Sequence, residues 1–104
     1  MEASLTHEEF TKNANTKFHV HFENNTVVDL EVNEISELKV HPQQEEFTIE
    51  FRGPLNMVLS QGTHFFTHDQ MGQFELFLVP VRQDEQGFYY EAVFNRLRDE
   101  VNSK

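Results

Sequence analysis

From residue 17 onward the apolar and polar positions alternate with a period of two. Phe18, Val20 and Phe22 fall on one phase, and His19, His21 and Glu23 on the other. This is the pattern of a strand with one buried and one wet face. Asn24-Asn25 then reads as a hairpin turn, because Asn tolerates positive φ. The return strand runs from Thr26 to about Val32, with Val28, Leu30 and Val32 inward and Asp29 and Glu31 outward. Ile35, Leu38 and Val40 extend or restart it, and His41-Pro42-Gln43-Gln44 is a loop. A further strand spans Glu46 to Arg52, with Phe47, Ile49 and Phe51 inward and Thr48 and Glu50 outward.

Gly53-Pro54 ends that strand, since proline offers no N–H to a ladder. Leu55 to Leu59 fits no single element. Gly62 to Thr67 reads as a strand and His68 to Gly72 as its turn. Phe74 to Val81 is apolar on both phases: Phe74, Leu76 and Leu78 on one, Phe77 and Val79 on the other. The pattern makes it the most buried strand, covered on its second face by a helix or another layer, with Pro80 limiting its far end. Gln83 to Gly87 is a polar turn, Phe88 to Phe94 the last strand, and residues 96–104 a frayed polar tail.

Ahead of the strands, Thr6 and Glu9 have the spacing of a capping box, and Leu5 and Phe10 that of a hydrophobic staple. Glu8 and Glu9 suit the positive end of a helix dipole. A short helix over residues 6–14 is expected, plugging one end of a sheet. The fold class is therefore mainly β: one domain over residues 1–104, a small antiparallel barrel or rolled sheet of six or seven strands with one N-terminal helix. Short connections make sequence neighbours into antiparallel neighbours in space.

Composition narrows the chemistry. With 104 residues, 11 Phe, 2 Tyr and no Trp, the chain can build an aromatic core without staples. It has no Cys, which excludes disulfides and thiolate sites and fits a cytoplasmic setting. No leader-like or membrane-length apolar run is visible, so no membrane association is expected. Eight Lys+Arg against 18 Asp+Glu give a net charge of −10, which repels nucleic acid.

Candidate sites are few. His19 and His21, two apart on a strand, share a face with Asp29 and Glu31, an arrangement that can hold a metal or simply pair across strands. Cross-strand pairing is the favoured reading, and no metal or other cofactor is expected. His64 and His68 are strand-end residues, and Ser60 lacks a nucleophile-elbow context. Glu75 and Glu91 sit in aromatic-rich strands within reach of Arg52 or Arg82, where a salt bridge outweighs acid–base work. No catalytic residue emerges. Phe77, Tyr89 and Tyr90 would form an aromatic surface patch if the helix leaves the last strands uncovered, and Arg52-Gly53-Pro54 is a possible docking loop.

Five segments in order, Leu5-Thr6-His7-Glu8-Glu9-Phe10, Phe47-Thr48-Ile49-Glu50-Phe51-Arg52-Gly53-Pro54, Leu59-Ser60-Gln61-Gly62, Phe77-Leu78-Val79-Pro80-Val81 and Tyr90-Glu91-Ala92-Val93-Phe94-Asn95, resemble a family of small bacterial proteins, a domain of unknown function. The likeness covers nearly the whole chain. It implies an accessory or assembly role beside phage-tail-collar-like proteins, and carries no catalytic residue with it. The combined expectation is a non-enzymatic domain that binds a protein partner or copies of itself. The alternative is a barrel enclosing a small apolar ligand; a hydrolase or metalloenzyme ranks last.

Overall fold

The computed structural model describes residues 5–22 and 25–97. One helix, α1 (His7–Lys12), precedes seven strands: β1 (Lys17–His21), β2 (Val27–Ile35), β3 (Lys39–His41), β4 (Gln44–Gly53), β5 (Gly62–His68), β6 (Gly72–Asp84) and β7 (Gly87–Leu97). They form one antiparallel sheet in the order β2-β1-β5-β6-β7-β4-β3, and β2 also pairs with β4. That pairing closes six strands into a barrel and leaves β3 as an extra strand on β4. Closure removes most exposed edges, which short strands would otherwise present to other chains.

The inward phase is the one the alternation predicts. Phe18, Val20, Leu30, Ile49, Phe51, Phe66, Leu78 and Tyr90 have no exposed surface. Phe18 packs edge-on against Phe51 at 5.5 Å between ring centroids, and Phe51 lies 5.6 Å from Phe66. These rings belong to one cluster of buried apolar side chains.

Helix α1 begins at Thr6, whose hydroxyl accepts the Glu9 N–H at 3.0 Å. Six residues cannot hold a helix in water alone. What fixes it is Phe10, fully buried and in ring contact with Phe18, Phe47, Phe74 and Phe94 at the barrel end. His7 adds a hydrogen bond to the Ser36 carbonyl at 2.8 Å. The helix is shorter than the 6–14 expected; Asn13 caps it, with its N–H and side-chain amide both bonded to the Glu9 carbonyl.

Several expectations are corrected. Consecutive strands pair at β1–β2, β3–β4, β5–β6 and β6–β7, but not at β2–β3 or β4–β5. Residues 54–61 instead form a long connection from β4 to β5, anchored by the fully buried Leu59. Pro80 does not end its strand: β6 continues to Asp84, because the β6–β7 register shifts between Pro80 and Arg82 and the irregularity accommodates a residue without an N–H. Arg96 and Leu97 are not tail but β7, at the level of Glu45 and Gln44 of β4; residues 98–104 lie outside the described residues. Asn24 does too, while Asn25 has the positive φ expected of that turn, 62°.

The second face of β6 is open rather than covered. Phe77 is 53% exposed and Val81 43%. The one helix among the described residues spends Phe10 on the barrel end, and nothing else among them is large enough to form another layer.

Candidate interaction surface

The outward phase can be followed across strands. On the level where Arg52 of β4 faces Tyr89 of β7, charges are paired. Arg52 reaches Glu31 of β2. Arg82 stacks over the Tyr89 ring at 3.8 Å and reaches Glu50 at 3.0 Å. The Tyr89 hydroxyl donates to Asp84, which also accepts the Gln86 N–H. That backbone hydrogen bond, helped by Tyr89 and Arg82, holds the Asp84 carboxyl below the ordinary range.

One pleat further along, the pairing gives out. Glu91 of β7 stands opposite Glu50 of β4, and Glu50 opposite Glu34 of β2. Ser36 and Thr48 complete a shallow hollow around the three carboxylates. Glu50 has Arg82 and the Asn33 amide. Glu34 and Glu91 have no hydrogen-bond or ion-pair partner among the described residues. Val79 of β6 faces Glu91 on the other side.

The next level is apolar. Val93 faces Thr48 across β7–β4, and Phe77 faces Thr63 across β6–β5. The β6–β7 ladder runs from Asp84↔Gly87 to Val79↔Glu91. Phe77 and Val93 are the next outward residues on these two strands, each two positions beyond that last pair. At 53% and 64% exposed, these are two of the most exposed large apolar side chains described.

The sequence candidates are redistributed accordingly. Of Phe77, Tyr89, Tyr90 and Arg52, only Phe77 presents an apolar surface. Tyr89 and Tyr90 are not surface aromatics: Tyr89 is 4% exposed beneath Arg82, and Tyr90 points into the barrel. There its hydroxyl accepts the Leu59 N–H at 2.8 Å, and burial raises its pKa. Arg52 is engaged with Glu31, and neither Arg52 nor Arg82 pairs with Glu75 or Glu91 as expected. Val93 escaped notice because the sequence stretch around it reads simply as a final strand.

The histidines are structural in geometry. His19 bonds Asp29 at 2.6 Å across β1–β2, and His21 bonds Thr67 across β1–β5 at 2.8 Å. His64 bonds the Ser60 carbonyl at 2.8 Å. His68 is 5% exposed and fully engaged. Its Nδ1 accepts the N–H groups of Gln70 and Met71, so the proton sits on Nε2 and is donated to the Thr16 hydroxyl at 2.6 Å. Burial lowers its pKa, with Asp69 opposing and His19 adding to the shift. No group of three or more His, Asp or Glu among the described residues could hold a metal ion. No helix among them is long and apolar enough to cross a membrane.

Residues 5–94 match the family described as Domain of unknown function (DUF6916). The chain belongs to the DUF6916 family. The match covers the helix, five of the six barrel strands in full and β7 as far as Phe94. No curated protein and no solved structure matches the chain.

Proposed function

We propose that this DUF6916 domain is a non-enzymatic interaction or assembly-accessory module that docks a protein partner on the outer face of β6 and β7. The observation that carries the reading is the exposure of Phe77 and Val93, each two residues beyond the Val79–Glu91 pair on a sheet face that the helix leaves bare. Large apolar side chains grouped on a surface mark interaction sites more often than single scattered ones do. The cluster of buried apolar side chains favours this reading over an enclosed small ligand. The histidines favour it over metal chemistry, because each already has a protein partner for a ring nitrogen.

The test compares the wild-type domain with Phe77→Ser/Val93→Ser as bait in cells that naturally make the protein. Both positions are exposed, so the melting temperature should stay within a few degrees of wild type. The reading expects a stoichiometric partner on the wild type that is lost from the variant. A partner retained in full by a folded variant, or none on either, refutes it.

A further inference from the structure

We infer that the occupant of the Phe77–Val93 face is a basic polypeptide segment in which lysine or arginine side chains alternate with apolar ones. This rests on the interaction reading above and adds the chemistry of the partner. Along β7 the outward residue next to Val93 is Glu91, with Glu50 and Glu34 at its level on the next two strands. Successive outward residues of a strand lie about 7 Å apart, and neighbouring strands about 5 Å. An extended segment laid along β7 has the same period. It can set an apolar side chain on Val93 and a cation on Glu91 one step away.

The charges of the face do not balance within the domain. Like charges directly opposite each other across strands destabilise a sheet. Among the described residues Arg82 is the one cation on the three carboxylates, and it is shared with Asp84. Glu34 and Glu91 have no cation of their own among the described residues. A basic partner relieves this repulsion on binding. A second copy is disfavoured, since each chain carries −10 overall. A nucleic acid is repelled for the same reason.

The test uses labelled short peptides and fluorescence anisotropy: one alternating lysine with valine, one alternating lysine with serine, one alternating glutamate with valine. The lysine–valine probe should bind most tightly. Glu34→Gln/Glu91→Gln should weaken it about tenfold. Glu8→Gln/Glu85→Gln removes the same charge from exposed positions elsewhere and should weaken it less than about twofold. Equal losses in the two charge pairs would mean diffuse attraction and overturn the inference. So would tighter binding of the glutamate–valine probe, indifference to Phe77→Ser/Val93→Ser, or a wild-type dimer abolished by that variant. If a natural partner depends on Phe77 and Val93 but not on Glu34 and Glu91, the interaction reading stands and the basic occupant falls.

Discussion

The Tyr90 hydroxyl accepts a hydrogen bond from the Leu59 N–H at 2.8 Å, joining β7 to the segment that connects β4 and β5. Both residues are without exposed surface. The bond satisfies the one polar tip on an otherwise apolar ring and a backbone donor that water cannot reach.

Tyr90→Phe keeps the ring and strips the acceptor. The Leu59 N–H is then buried and unsatisfied, which costs about 1–3 kcal/mol. Urea unfolding should show that loss with an unchanged slope. A loss below about 0.5 kcal/mol would mean that the connecting segment relaxes to water. Probe binding at Phe77 should not change.

His68 makes the domain acid-sensitive. Its folded pKa lies below the unfolded value of 6.5 because burial disfavours the imidazolium. Below pH 6.5 the unfolded chain therefore binds more protons at this site, so stability falls as pH drops and keeps falling until the folded pKa is reached. Protonation would also put a hydrogen on Nδ1, against the Gln70 and Met71 N–H groups. NMR should find His68 as the Nε2–H tautomer, titrating below its usual range. Melts from pH 7 to pH 5 should decline more steeply in the wild type than in His68→Gln. A His68 that titrates at or above 6.5 contradicts this account.

Gly53 is required by packing. A Cβ there would lie 2.6 Å from Leu30 Cδ2 and 3.4 Å from Tyr90 Cε1. Both side chains are fully buried, so Leu30 would have to shift within the packed core. Gly53→Val should cost about 1–3 kcal/mol from overpacking. Arg52→Ala, which removes the half-exposed pair with Glu31, should cost no more than about 1 kcal/mol. Thermal melts of the two variants separate the packing of this turn from any docking role of its arginine.

Glu91→Gln should stabilise the isolated domain by about 0.2–1 kcal/mol, since it removes a like-charge pair with Glu50. The gain should shrink as salt is raised. Destabilisation by this change would mean that Glu91 has a favourable role within the fold.

The sequence made the inner face of the barrel readable because one wet face leaves a strict period of two. Phe47, Ile49 and Phe51 are core for that reason, and Thr6 caps the helix as its spacing with Glu9 implies. The outer face was not readable. Apolar residues on both phases of β6 signal two covered faces in a chain with enough mass for a second layer. The described residues hold one six-residue helix, and its Phe10 goes to the barrel end. Pro80 misled because a proline ends a strand only where the ladder is regular, and the register shift lies in pairing rather than in local sequence. Tyr89 and Tyr90 are adjacent and chemically alike, so nothing local separated the one under Arg82 from the one inside the barrel. The row Glu34, Glu50 and Glu91 exists only through the β2–β4 and β4–β7 registers, which long-range closure sets.

Site-specific photo-crosslinking measures occupancy of this face most directly. A benzophenone side chain replaces Phe77 or Val93 in the natural cell, with Val40 as a control that is 51% exposed on β3. The account predicts the same discrete adduct from positions 77 and 93, and none from position 40. Silence at 77 and 93, or an equal adduct from 40, would contradict it.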